Sequence, residues 1–177
     1  SLKKEGLRYP SAREILKYIK KIAQIWKKYE RNVLTELSKV SGLKWKEDKI
    51  IVYVIGYGLP FSDPLTIPVY KKNQSWFIDV LTHELIHQLF TQKGNYEKSR
   101  KAWAYIHKKY RKESQKTKIH VPLHAIHSHI YLKFFGEKRL ERDMEIMERN
   151  KDYKNSWEIV KNDGYENIIK EFRKRIR

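Results

Sequence analysis

The chemistry in this chain is concentrated in five consecutive residues, His83-Glu84-Leu85-Ile86-His87. Side chains four apart on a helix share a face, with Cβ atoms about 5–6 Å apart. Two imidazoles at that spacing can bind one tetrahedral zinc ion from the same side. Glu84 stands one residue round from His83, so it can reach a water on the metal without being a ligand. Its carboxylate would take the proton of that water during attack on a carbonyl, while the metal lowers the water's pKa and polarises the carbonyl. The surrounding stretch includes Trp76, Phe77, Ile78, Val80, Leu81, Leu85, Ile86, Leu89 and Phe90 and is apolar nearly all round, as in a buried helix. Two imidazoles and a carboxylate are costly to bury without partners, and a metal is such a partner.

A catalytic zinc takes three protein ligands and keeps one position open. The remaining histidines are His107, His120, His124, His127 and His129. With Pro122 read as a first-turn proline, a helix starts near that residue and runs to about Phe135. At about 100° per residue, Leu123, Ile126, Ile130 and Phe134 form its core stripe. His124, His127 and Tyr131 lie along the border of the stripe, and His129 lies on the far side, facing solvent. His120 precedes the helix on this reading. The expected third ligand is therefore His124, followed by His120 and then His107, with His127 and His129 as ordinary core or surface imidazoles. Acidic alternatives are Glu97, Glu113 and Glu137.

These side chains need elements to hold them. Residues 11–38 read as one helix, with Ser11 and Glu14 as a capping box and Ile15, Ile19, Ile22, Trp26, Tyr29 and Val33 at helical spacing. Residues 49–57 read as a strand, rich in β-branched and aromatic side chains. Ser62-Asp63-Pro64 reads as a turn, and residues 65–70 as a short strand that Pro68 pushes towards a sheet edge. Asn73 or Ser75 caps the motif helix, which ends by about Thr91, before Gly94. Another helix is expected over residues 96–113. Residues 137–177 are charged and helical in pattern, interrupted at Asn162-Asp163-Gly164. In that tail, Ile168, Ile169, Phe172 and Ile176 form a stripe that should dock either on the first helix or in a substrate cleft. The predicted fold is α+β and predominantly helical: an N-terminal helical region (1–45), a small sheet of short strands, a buried active-site helix and C-terminal helices ending in the 137–177 tail. All of it is expected to form a single domain over 1–177.

Composition narrows the options. There is no cysteine, which excludes disulfides, thiolate metal sites and a cysteine nucleophile and fits a cytoplasmic setting. No apolar run approaches the roughly 20 residues of a membrane helix. No hydrophobic signal segment follows the charged opening residues 1–8. The formal charge is +18, from 39 Lys plus Arg against 21 Asp plus Glu. Nucleic acid is a possible partner for such a charge, but the basic residues are spread along the chain without an arginine-rich block, so a basic solvated surface is the preferred reading.

The order of a strand pair, a buried helix bearing His83-Glu84-Leu85-Ile86-His87, and a later helix bearing a third ligand resembles the zincin metallopeptidases, most closely those of the gluzincin or minigluzincin type. The resemblance covers residues 50–135, and the HExxH motif is its sharp feature. It implies a zinc-dependent peptidase acting on a peptide or protein, with His83 and His87 as ligands and Glu84 as general base. It further implies that residues 65–70 bind substrate in extended form. The chain departs from the gluzincin pattern in offering histidines rather than glutamate on the later helix. Residues 88–95 do not continue into the longer metzincin motif. Two alternatives follow from the charge: a nucleic-acid-associated metalloprotease of the SprT-like kind, and a nucleic-acid-binding helical domain without enzymatic activity. Against the former, Lys101, Ala102 and Trp103 stand where a third histidine would fall.

Overall fold

A computed structural model describes residues 8–176. The opening residues 1–7, part of the segment assessed for a signal, and Arg177 lie outside the described residues. The fold is α+β with helices predominating, as expected. In chain order its elements are α1 (Ala12–Trp26), α2 (Glu30–Ser41), β1 (Tyr53–Ile55), β2 (Phe61–Ser62), β3 (Leu65–Pro68), α3 (Gln74–Thr91), α4 (Asn95–Lys109), α5 (Gln115–Ile130), a π-helical turn (Tyr131–Phe135), α6 (Glu137–Met147), α7 (Lys151–Asp163) and α8 (Tyr165–Arg173). No helix among the described residues is long and apolar enough to cross a membrane.

The first helix starts where its capping box predicts. Ser11 N donates to Glu14 Oε2 at 2.7 Å, and Glu14 N donates to Ser11 Oγ at 3.3 Å. The expected single helix over 11–38 is instead two, separated by a turn in which Tyr29 N bonds Trp26 O at 2.8 Å. The break lets one apolar stripe serve two surfaces. α1 packs on α3 and β1, whereas Val33, Leu37 and Val40 of α2 are buried against α5 and α8. α2 ends on Gly42 at φ 77°, a left-handed position that suits a residue without Cβ.

The sheet has the order β1-β3-β2. β1 runs parallel to β3, with Tyr53 opposite Thr66 and Ile55 opposite Pro68, and β2 runs antiparallel to β3 across the Ser62-Asp63-Pro64 turn. β1 is shorter than the strand expected over 49–57 because its partner spans only four residues. β3 is central rather than an edge strand. Pro68 is tolerated because it is the last residue of the strand, beyond the reach of β2, whose pairing stops at Leu65 and Thr66. The ladder passes the proline by a bond from Val69 N to Ile55 O at 2.9 Å.

α5 is the axis of the helical layer, packed by α7, α8, α3 and α2. It starts a full two turns earlier than expected. Ser114 caps it, accepting from Thr117 N at 3.0 Å, and Pro122 lies in the helix interior. An interior proline removes one backbone donor and costs about 3 kcal/mol in an exposed helix. Here, packing on several sides holds the helix together. The C-terminal tail is part of the core. Ile168, Ile169 and Phe172 are buried, and the Phe172 ring meets those of Phe90 and Trp103 at 5.6 and 5.3 Å. α8 docks on α5, α4 and α2 rather than on α1 or in a cleft.

Candidate metal centre

α3 brings His83 and His87 onto one face, turned towards α5. Asn73 Oδ1 caps its start, accepting from Ser75 N at 3.0 Å. Its first turns are clamped by α6. Arg139 Nε and Arg142 Nη2 reach the buried Asp79 carboxylate at 2.6 and 2.5 Å, and Arg139 also bonds Ser75 O at 2.9 Å. Its far end is held by Asn95 Nδ2, which donates to Leu89 O at 2.8 Å and to Lys44 O at 2.9 Å.

Opposite this pair stands His120. The ring centroids of His83, His87 and His120 are 5.1, 5.5 and 5.1 Å apart, nearly an equilateral triangle. One ligand atom from each lies within 4.8 Å of the other two, so the three could hold a metal ion. His120 Nδ1 sits 2.8 Å from Lys116 O, which makes that nitrogen the donor and leaves the lone pair on Nε2. Nε2 is buried and has no protein partner, as expected of an imidazole oriented for a metal. His83 Nδ1 is likewise buried and unpartnered.

Burial decides the charge of the triad. It pushes His87 down to about 4, reinforced by His120, and pushes His120 down to about 4. His83 is held well below the usual imidazole range by its burial and by the four histidines around it. All three are therefore neutral near pH 7, the form that can ligate. Glu84 is also buried, at 7% exposure, and this burial alone lifts its carboxyl to about 7.

His120 stands in the group that could hold a metal ion, and His124, expected as the third ligand, lies outside it. Its Nδ1 is 2.7 Å from Ser156 Oγ, and its ring stacks on Trp157 at 4.0 Å and 6°. Both partners come from α7. His120 in turn lies inside α5 rather than before it, because the helix starts at Gln115. His107 is half-buried on α4 beside Trp103, outside the triad. His129 is not simply solvated, since its Nε2 pairs with Glu36 Oε1 at 2.8 Å where α2 crosses α5. His127 is fully buried, 5.8 Å from His83 by ring centroid, with neither nitrogen partnered. Among the described residues, Glu97, Glu113 and Glu137 do not join the group that could hold a metal ion.

The triad lies between two hollows. A cleft of about 500 Å³ opens beside His83 and Glu84, walled by Leu59, Tyr70, Trp76, Met147 and Tyr153 among others. A second hollow of about 380 Å³ opens beside His87, lined by Tyr96, Arg100, Trp103 and His107. β3, the strand expected to receive substrate, is flanked on both sides. Both neighbours are edge strands, and of these β2 directly follows the cleft residues Leu59 and Pro60. Tyr153 is a site residue with no signal in the sequence. Its ring is 4.6 Å from His120 and 6.3 Å from His83, and burial raises its phenol. Only the docking of α7 across α5 brings it there. Comparison with family models, with curated proteins and with solved structures finds no match to this chain, so its functional reading rests on its own geometry.

Proposed function

We propose that this chain is a zinc-dependent metallopeptidase of the zincin type, with His83, His87 and His120 as metal ligands and Glu84 as general base. The observation that carries the reading is the neutral histidine triad with the buried carboxylate of Glu84 beside it, opening onto a cleft of about 500 Å³. Three nitrogen ligands suit zinc and leave a position for substrate or water. The bound ion would supply Lewis acidity to a carbonyl and lower the pKa of a water. Glu84, its affinity for a proton raised by burial, accepts the proton of the attacking water at its carboxylate and can pass it to the leaving amine. Tyr153 stands beside His120 with its phenol as a donor to the carbonyl oxygen as charge builds there. An extended peptide crossing the cleft can pair with the outer edge of β2. A cytoplasmic setting fits a chain without cysteine.

The test is metal analysis of the purified chain together with cleavage of an unstructured protein such as casein. One zinc per chain, with cleavage abolished by chelation and restored by zinc, is the expected result. Stoichiometric zinc without cleavage of any protein or peptide would leave only a structural metal. Salt-dependent binding to DNA in place of hydrolysis would favour the nucleic-acid reading.

A further inference from the structure

The floor of the cleft contains polar groups that the hydrolytic reading does not use. Two aspartates line it, Asp79 and Asp143. Asp79 holds both nearby guanidiniums, those of Arg139 and Arg142. Asp143 follows Arg142 directly, yet it has no ion-pair partner among the described residues, and its Oδ2 is buried without a hydrogen bond. The residue is only 7% exposed. His127, 1% exposed, leaves both ring nitrogens unpartnered, and Trp76 Nε1 is also without a partner. All three side chains face the same hollow. Buried polar atoms are nearly always paired, so several orphans around one cavity mark a place where a ligand supplies the missing bonds.

We infer that this floor is a subsite for a basic side chain, the arginine or lysine of a bound peptide, with Asp143 as its counter-ion. The inference rests on the peptidase reading for its biological setting. The two guanidiniums nearest the floor are engaged by Asp79, and an anion is opposed by Glu84 and Asp143 on the same cleft. An apolar group would leave the floor atoms unpaired. A guanidinium or ammonium supplies charge and donors to the acceptors of the floor, Asp143 Oδ2 and the ring lone pair of His127, and charge-assisted bonds are the strong ones. The Trp76 indole N–H, itself a donor, is left for a carbonyl of the peptide. Lys116, the basic side chain on the cleft wall, lies with its ammonium over the Tyr153 ring at 4.3 Å, and that ring is 4.6 Å from His120. More distant lysines are screened beyond about 8 Å at physiological salt. Burial and then Asp79 lift the Asp143 carboxyl to about 7, against the Tyr131 hydroxyl, Arg142 and Arg139, which pull it down.

The experiment is calorimetric titration of the full chain with agmatine and with the uncharged N-butylurea. The native chain should bind agmatine about tenfold tighter or more, the margin of a hydrogen bond to a charged group. Asp143→Asn, checked for folding by circular dichroism, should abolish that margin. Should it fail to fold, Met147→Lys is the second variant. It places an ammonium one turn from Asp143 in the same cleft, and should weaken agmatine binding about tenfold while raising the melting temperature. Equal binding of the two ligands by the native chain, binding of neither, or an unchanged preference in the variants would overturn the subsite. Cleavage of a peptide library separates the two readings. Agmatine preference without hydrolysis counts against the peptidase alone. Hydrolysis without any preference for arginine or lysine beside the cut bond counts against the subsite alone.

Discussion

α3 and α5 face each other across the triad, and both carry histidines at helical spacing, yet the two helices use them differently. On α3, His83 and His87 both point to the triad. On α5, His120, His124 and His127 form one stripe at intervals of four and three, and only the first joins them. His124 belongs to Ser156 and Trp157, and His127 faces the cleft floor. Helical spacing decides which side chains share a face. It does not decide how far along its axis a helix sits against its neighbour, and one turn, about 5.4 Å, separates a member of the triad from a bystander.

The largest effect should come from α3. Glu84→Gln should reduce peptide hydrolysis on the order of 10²–10⁴-fold with zinc still bound, since an amide cannot accept the proton. Unchanged turnover would reject its role. Equal loss of metal and activity would make Glu84 structural. Next comes the side chain that α7 lends to both helices. Tyr153→Phe should lower kcat about 10²-fold, with little change in KM, if the phenol donates only as charge builds on the carbonyl. An increase in KM alone would reassign it to ground-state binding.

The contrast within α5 is sharpest in a pair of variants. His120→Ala should weaken zinc binding by about 100-fold or more, a loss at least as great as that from removing an outer-shell partner. His124→Ala should instead cost about 2–3 kcal/mol of stability, through the lost stack on Trp157, the lost bond to Ser156 and the hole left behind, with a far smaller change in zinc affinity. Reversal of the two zinc affinities would return His124 to the ligand set. The smallest effect concerns the third member of the stripe. Burial, and then Arg139, hold His127 down at about 3, whereas an unfolded imidazole titrates near 6.5. Its contribution to stability is therefore whole above about pH 6.5 and is lost as pH falls towards 3. At pH 5 the loss is about 2 kcal/mol. Asp143, raised to about 7, acts in the opposite sense, helping below about pH 4 and losing that help by pH 7. With four buried histidines and the half-buried His87 against Glu84 and Asp143, metal-free protein should lose stability on acidification from pH 6.5 to 5. His127→Leu should show a shallower loss in urea melts. An equal slope in both proteins would mean that His127 is already protonated or hydrated in the fold.

Much of the local architecture was legible before any coordinates. The Ser11–Glu14 capping box, the Asn73 cap, the Ser62-Asp63-Pro64 turn and the break at Gly164, the last residue of the expected Asn162-Asp163-Gly164 interruption, are determined by residues within a few positions of the backbone they control. The same holds for His83, Glu84 and His87, whose common helix places them together whatever the rest of the chain does. The division of the first helix at residues 27–29 and the start of α5 at Gln115 were not legible. In both places packing outweighs a local preference, and at Pro122 it outweighs the strongest one there is. The missing start of α5 is what hid His120.

The chemistry of the pair on α3 follows from spacing alone, because an α-helix repeats every 3.6 residues and the motif is shorter than two turns. The third histidine of the triad, the phenol of Tyr153 and the unpaired carboxyl of Asp143 come from α5, α7 and α6, at least 33 residues away along the chain. Their positions depend on the axial offset of one helix against another. That offset is set by the stack of Trp157 on His124, the clamp of Arg139 and Arg142 on Asp79, and the docking of Phe172 against Phe90. Each is a contact between distant residues, and no periodicity within a single segment encodes it.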